Sequence, residues 1–336
     1  MYYNIILKYL NLKKFSYKNF LFFIKNIYKK KVSIIYIICF IISLKIKKEN
    51  IYDIYYIIKI LKKYSLKFKL NKKFNLTDIV GTGGNNSNII NVSTASMFII
   101  SSINVNILKH GSSFFSSISG SSDVLKKLNI NINLNKNKII YLLNKIGICF
   151  IYSKKYNILM NILSYIRKKI KIRTIFNIIG PLINPIYTKN IYLGVYNKNI
   201  LKIKIKILKK NNFYHAICVS GNNIDEATIN DYSYLYELKK NKILNFKIHP
   251  NDFKIKKYEL ESIKIKNSFD SKNKILKVFN GYISPYYYII LYNSSILLYV
   301  SNKVNFINKS IKITKNIINS YNINNKINKF IKISNL

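Results

Sequence analysis

Two carboxylates stand side by side at Asp225 and Glu226, in a chain of 336 residues with only 12 acidic side chains against 57 lysines and arginines. They sit in "SGNNIDEATIN" (220–230), after an apolar run and a glycine. Adjacent carboxylates on a loop suit Mg²⁺, a hard cation that takes one or two of them and completes its shell with ligand phosphates. At the start of a helix the same pair would instead offset the helix dipole. A second stretch, "NLTDIVGTGGNNSNIINVSTA" (75–95), packs Gly81, Gly83 and Gly84 into four positions of a chain with 10 glycines in all. Glycine allows positive φ and the close approach of an oxygen-rich ligand. The exposed N–H groups of such a loop bind anions, unless it is only a tight structural turn. The pattern is neither GxxxxGK[ST] nor GxGxxG, which argues against a nucleoside triphosphatase or a dinucleotide fold. Ser93 and Thr94 follow at a helix start, where hydroxyls cap the helix or bind phosphate.

Two more stretches resist the bulk composition. In "KHGSSFFSSISGSSD" (109–123), Lys109 offers a point charge for phosphate, and Ser116, Ser117, Ser119, Ser121 and Ser122 offer short donors; a polar surface loop would read the same way. In "IRKKIKIRTIFNIIGPLINP" (166–185), Arg167 and Arg173 persist where this chain nearly always uses lysine. A planar, bidentate contact to a carboxylate explains an arginine there, as does an architectural ion pair. The inventory of glycine loop, lysine, serines and acidic pair fits a phosphorylated or pyrophosphorylated substrate without fixing the reaction.

The elements that must carry these residues alternate. Residues 1–70 read as helices from apolar positions at helical spacing. Strand, glycine loop and helix follow through 103, a strand over 104–111, and helices over 121–128 and 156–171. "NIIGPLINP" (177–185) breaks regular structure with two of the four prolines. Runs at 192–197 and 214–221, and later ones near 275 and over 288–300, read as strands, giving an α/β core. Residues 303–336 read as one amphipathic helix with a weakly ordered end. The uncharged run 32–44 falls short of the roughly 20 residues a spanning helix needs and reads as a buried helix. No clean signal peptide opens the chain. Cys39, Cys149 and Cys218 lie in apolar surroundings without CxxC spacing, which points to buried thiols in a reducing, cytoplasmic setting. The net charge of +45 is spread along the chain. That spread favours a compositional bias over a nucleic-acid-binding stripe.

Taken together, "DIVGTGG…NVSTA", "KHG…SSISGSSD", "RTIFNIIGPLINP" and "GNNIDEAT" are similar to the motifs of anthranilate phosphoribosyltransferases, over roughly residues 30–300 in colinear order. The resemblance implies a small α-helical domain (1–70, joined by helices near 165–190). It also implies a larger α/β domain with a central mixed sheet (71–164 and 191–336), and a homodimer formed through the helical domains. The implied reaction transfers phosphoribose from phosphoribosyl pyrophosphate (PRPP) to anthranilate with Mg²⁺, with neither nucleic acid nor membrane as partner. It further implies that Gly81, Thr82, Gly83, Gly84, Asn85, Asn91, Ser93 and Thr94 surround the pyrophosphate and ribose. Lys109 would neutralise phosphate and act in catalysis, His110, Gly111 and Ser112 would line the gap to the acceptor, and Ser121 and Asp123 would finish the serine loop. Arg167 would meet the anthranilate carboxylate, as a catalytic residue, and Pro181 its channel. Asp225 and Glu226, with Ser93 nearby, would hold Mg²⁺. The chain departs from the family pattern at Asn85 and Asn86 (normally Asp and Gly) and at Ser112 and Ser113 (normally Asn-Arg). It also departs at Asn157-Ile158 (normally His-Pro) and at Lys254, where a glycine usually follows "DF". These changes gather on the acceptor and ribose side. A different aromatic or nucleobase acceptor, or an inactive homologue with a basic binding role, is the alternative.

Overall fold

The computed structural model describes the chain except residues 1, 12–14, 48–49, 67, 69, 71–73, 84–87, 112–117, 171–173 and 321. It divides into two compact units.

The first unit comprises Met1–Phe68 and Ser153–Ile186 and is helical. Its main helices are Tyr2–Asn11, Tyr17–Tyr28, Ile34–Ile46, Ile51–Lys63 and Ile158–Ile170. Tyr9, Phe15, Phe20, Phe23 and Phe40 form an aromatic core with mostly edge-on contacts, the geometry that ring quadrupoles favour. Asn50 and Asp53 cap the fourth helix reciprocally, and the Tyr9 hydroxyl donates to Asp53 at 3.2 Å. Residues 153–164, read from sequence as part of the larger domain, fall in this unit. Ile34–Ile46 is helical as expected but only half-hidden: Ile37, Phe40, Ile41 and Leu44 are buried, whereas Ile34, Ile35 and Ile46 are exposed. Cys39 on the same helix is exposed, contrary to the buried thiol expected, while Cys149 and Cys218 are buried. Asn157 is buried, accepts from the Met160 N–H at 3.2 Å and donates to Ser65 Oγ at 3.3 Å. It thus caps the helix Ile158–Ile170 in the manner that favours asparagine. No described helix is long and apolar enough to cross a membrane.

The second unit, Lys69–Tyr152 and Tyr187–Leu336, holds one seven-stranded sheet in the order β3-β2-β1-β4-β5-β6-β7. The strands are β1 (Thr77–Gly81), β2 (Ile107–Gly111), β3 (Ile148–Tyr152), β4 (Asn190–Gly194), β5 (His215–Ser220), β6 (Ser233–Lys239) and β7 (Lys242–Ile248). The first five run parallel and β6 and β7 antiparallel, so the sheet is mixed, as expected. The parallel strands are buried along nearly their whole length and largely apolar, as strands covered on both faces are, with Asp78, Lys109 and His110 as buried exceptions. Lys240 and Asn241 both take positive φ and close the β6–β7 hairpin in the two-residue turn that matches strand twist. The order reverses between β1 and β4. In open α/β sheets such a switch point leaves a crevice at the carboxyl ends of the strands.

Two expectations fail in this unit. The runs near 275 and over 288–300 are helices, Ser268–Phe279 and Pro285–Val300, not strands. Asn267 caps the first; Ser284 caps the second, with Pro285 at its first position. Thirteen of the sixteen residues of Pro285–Val300 are buried. A helix hidden on all sides shows no polar face, so its period is invisible in sequence. Residues 303–336 form two helices, Ile307–Asn319 and Asn322–Asn335, rather than one with a loose end.

Ten described non-glycine residues have positive φ, seven of them asparagines and three lysines. Asparagine tolerates this region better than other side chains. Lys254 is one of the three lysines, exposed at φ 56°, at the position where the resemblance expects glycine. Lys254→Gly should therefore raise stability by roughly 0.5–1 kcal/mol, the relief of strain less the entropy of a freer unfolded chain. A higher urea midpoint at unchanged slope is the expected result; a lower one would show that the turn bears no strain.

Candidate active site

The crevice at the switch point is filled by main chain. Gly81 ends β1 and pairs in register with Gly194, which ends β4. The loop after β5 lies directly on these two ends. A Cβ on Gly194 would stand 1.8 Å from the Asp225 carbonyl oxygen, and one on Gly81 would stand 2.3 Å from Asp225 Oδ2. A Cβ on Gly221 would meet the Glu226 carbonyl oxygen at 2.5 Å. At Gly194 and Gly221 the blocking atoms are main chain and no side chain fits, whereas at Gly81 a side chain would force the Asp225 carboxylate to turn away; bare backbone here is the condition for the acidic pair to sit where it does. Gly83, at φ 59°, turns its N–H to Asp225 Oδ2 at 2.7 Å.

Lys109, on β2, is buried beside this loop. Its ammonium donates to the Ile79 carbonyl at 3.1 Å and to Ser93 Oγ at 2.9 Å. Burial pulls its pKa below the usual lysine range, opposed by the charges of Glu226, Asp78 and Asp225. Burial likewise pushes Glu226 up, and repulsion from Asp225 adds to it; Lys109, the Ser93 N–H and Tyr192 pull the other way. The half-buried Asp225 is also raised by its surroundings, with the Gly83 N–H opposing. Three carboxylates thus face one ammonium in a nearly dry place, an arrangement short of positive charge. The donor set fits a hard divalent cation. No group of three or more His, Cys, Asp or Glu able to hold a metal occurs among the described residues, so Asp225 and Glu226 would leave most of a coordination shell to ligand oxygens.

The remaining residues singled out in the sequence are placed as follows. Thr82 ties the glycine loop to β4, its N–H donating to the Gly194 carbonyl at 2.9 Å and its hydroxyl accepting from the Tyr196 N–H at 3.4 Å. Asn91 caps no helix through its side chain. It binds Ser119 through both its amide groups and accepts from Ser271 Oγ at 2.8 Å, which pins the end of the serine-rich loop. Thr94 is fully buried on the helix Val92–Ser101, and its hydroxyl has no hydrogen-bond partner among the described residues. His110 is buried on β2 next to Lys109, and Gly111 lies under the Phe150 ring. Ser121 opens the helix Ser121–Lys127, where Asp123 accepts from the Gly120 N–H at 3.0 Å. Arg167 lies on the helix Ile158–Ile170 and Pro181 is buried in the short turn Gly180–Leu182, both in the helical unit. Gly84, Asn85, Ser112 and Ser113 lie outside the described residues, as does the Arg167 side chain. The α/β unit therefore brings Gly81, Thr82, Gly83, Ser93, Lys109, Asp225 and Glu226 into one cluster.

Four members of the cluster were not singled out from sequence: Asp78, Tyr192, Gly194 and Gly221. Asp78 is buried on β1 and faces Lys109 electrostatically. The signal for it and for the two glycines was scarcity, since each belongs to a residue type this chain uses sparingly. Tyr192, one of 29 tyrosines, carried no such signal.

The raised Glu226 makes a pH prediction. In the unfolded chain it ionises near 4.5; in the folded protein it holds its proton up to about 8. Folding therefore takes up a proton between these values. The stability it contributes is full below about 4.5 and is lost as pH rises through about 8. The melting temperature of the ligand-free wild type should fall relative to Glu226→Gln across that window. The comparison cancels other buried groups such as Lys204, which burial holds down to about 7. A constant difference would mean that Glu226 ionises normally.

Comparison with known proteins agrees with this geometry. Residues 73–321 match the family model described as the glycosyl transferase family, a/b domain. The chain is 33% identical over 311 residues to an anthranilate phosphoribosyltransferase of Janthinobacterium sp. (strain Marseille), covering 92% of this chain and 90% of that one. It is 38% identical over 239 residues to that of Buchnera aphidicola subsp. Schlechtendalia chinensis, covering 71% and 72%. Among solved structures it is similar in fold to the Thermus thermophilus enzyme (TM-score 0.90, 18% identity, 99% of both chains). It is also similar to the Saccharomyces cerevisiae enzyme in complex with PRPP and Mg (TM-score 0.85, 23% identity, 95% and 92%).

Proposed function

The chain belongs to the anthranilate phosphoribosyltransferase family, and from that premise we propose that the cluster at the ends of β1, β2, β4 and β5 is where it holds PRPP. Its reaction is the Mg²⁺-dependent transfer of the phosphoribosyl group of PRPP to the amine of anthranilate. One observation carries the assignment of place: the Gly83 N–H, the Lys109 ammonium and the Asp225-Glu226 pair meet at the switch point of the sheet. The yeast relative binds PRPP with Mg in one structure and 4-fluoroanthranilate in another.

In this reading the anthranilate nitrogen forms a bond to C1 of the ribose while the C1–O bond to pyrophosphate breaks, its electron pair leaving with the pyrophosphate. The nitrogen then loses its proton. The aromatic amine is neutral at pH 7, so no strong base is needed, and alignment and charge stabilisation supply the rate. Mg²⁺, when bound by Asp225 and Glu226, neutralises pyrophosphate oxygens. The Gly83 N–H, which donates to Asp225 in the ligand-free protein, would turn to the same oxygens as the metal engages that carboxylate. Lys109 stands behind Ser93, held by Ile79 and flanked by acids. A cation fixed in place before the charge develops stabilises the departing pyrophosphate without reorganising. Ser93 is within reach of both the lysine and the metal pair, and Arg167 supplies the bidentate partner for the anthranilate carboxylate.

Loss of anthranilate fluorescence in the presence of PRPP measures the reaction. Lys109→Ala should lower kcat by about a hundredfold and raise the KM for PRPP. Arg167→Ala should raise the KM for anthranilate and leave that for PRPP nearly unchanged. A Lys109→Ala variant that moved only KM would refute the catalytic role of this lysine.

The protein acts as a homodimer in the cytoplasm. Tyr3, Leu7 and Leu10 fall on one exposed stripe of the helix Tyr2–Asn11, and Ile34 and Ile35 are exposed on another helix of that unit. An apolar patch of this kind marks a protein interface, and a second copy is the occupant expected of this family. Leu7→Glu should convert a dimer to a monomer by light scattering; a monomeric wild type would rule the dimer out. Three free cysteines suit a reducing compartment.

A further inference from the structure

Asn293 lies in the middle of the helix Pro285–Val300, with no exposed surface. A buried amide costs free energy unless its hydrogen-bonding capacity is used, and that capacity is two donors and two acceptor sites. All four are engaged. Oδ1 accepts from the Ala227 N–H at 2.7 Å and from the Tyr192 hydroxyl. Nδ2 donates to the Ala227 carbonyl at 2.9 Å and to the Ile289 carbonyl at 2.8 Å. The Ile289 bond is internal to the helix. The other three leave it and converge around Glu226. Ala227 is gripped at both its N–H and its carbonyl, as one strand grips the next, which fixes the main chain directly after Glu226. The Tyr192 hydroxyl, held by the same amide, lies 3.4 Å from Glu226 Oε2. One side chain therefore sets both the backbone and the nearest hydroxyl neighbour of this carboxylate.

We propose that Asn293 is a positioning residue for the metal pair: through Ala227 and Tyr192 it places the Glu226 carboxylate and so sets the affinity for the divalent cation that accompanies the diphosphate substrate. The proposal rests on Asp225 and Glu226 being that pair. An apolar side chain here would leave the buried Ala227 N–H and carbonyl and the Tyr192 hydroxyl without this partner, so the asparagine is tied to these three groups and not to filling space. Partners that orient a ligating carboxylate change metal affinity by about 10–100-fold when removed.

The test uses Mn²⁺ as probe, following the signal of free Mn²⁺ by electron paramagnetic resonance with PRPP present, alongside steady-state kinetics and thermal melts. Asn293→Ala should weaken Mn²⁺ binding about tenfold or more, and Tyr192→Phe, which keeps the ring in place, by about threefold. The Mg²⁺ concentration for half-maximal rate should rise in parallel, while the KM for anthranilate stays within about twofold. Ser295→Ala is the control. Its hydroxyl donates only to the Leu291 carbonyl of its own helix, so it should bind Mn²⁺ as wild type does even if it melts earlier. An Asn293→Ala variant that melts earlier yet binds Mn²⁺ like wild type would overturn the proposal and leave a purely structural asparagine. If Asn293→Ala does not fold, an undiminished affinity in Tyr192→Phe overturns it. Undiminished binding in Glu226→Gln would instead remove the metal-pair assignment, and this proposal with it.

Discussion

The acidic loop can rest on the sheet only because the strand ends beneath it carry no side chains. At Gly194 the Asp225 carbonyl occupies the very space a Cβ would need, and at Gly81 the Asp225 carboxylate does so. These two glycines are paired neighbours on β1 and β4, the strands between which the order of the sheet reverses. The crevice that any such reversal creates is here turned into a seat for two carboxylates. From that seat Asp225 fixes the glycine loop through the Gly83 N–H, and the pair faces Lys109 on the far side of β1. The Asn293 amide grips the loop from below, at Ala227. Displacing the loop by even the width of one methyl group would disconnect all of these at once.

The electrostatics of the site follow from its dryness. A chain with a net charge of +45 gathers three of its 12 acids around a single buried lysine. Burial disfavours charge here, raising Asp225 and Glu226 and lowering Lys109. The cluster is thus costly as it stands, and a divalent cation is the charge that the proposed function would bring to it. That is the usual exchange of stability for function at a preorganised site. The surface lysines contribute little to this balance, since their charges are solvated and screened.

Much of this was legible because the composition is so skewed. Glycine, Asp225-Glu226 and Lys109 in "KHG" stood out against a background of Ile, Asn, Lys and Tyr, and the structure brings them together. Gly194 belonged to the same scarce type but lacked a motif around it, and Gly221 opened "GNNIDEAT" without a role of its own; only the third dimension shows what presses on them. Asp78 was hidden inside an apolar strand. Asn293 and Tyr192 are of types this chain uses everywhere, so nothing in sequence distinguished them from filler. The helix Pro285–Val300 was misread because it is buried on nearly every side and has no polar stripe. Lys254 shows the reverse case, a lysine where the resemblance expects glycine and the backbone takes positive φ.

The central claim is that Asp225 and Glu226, seated on Gly81 and Gly194, hold the metal that accompanies the diphosphate. Anomalous diffraction from Mn²⁺ in crystals grown with PRPP tests it most directly. The account predicts a peak within about 2.3 Å of a carboxylate oxygen of Asp225 or Glu226, with the diphosphate lying between it and the N–H groups of the glycine loop. A metal–diphosphate unit bound elsewhere, with the Asp225 carboxylate still turned only to Gly83, would contradict it.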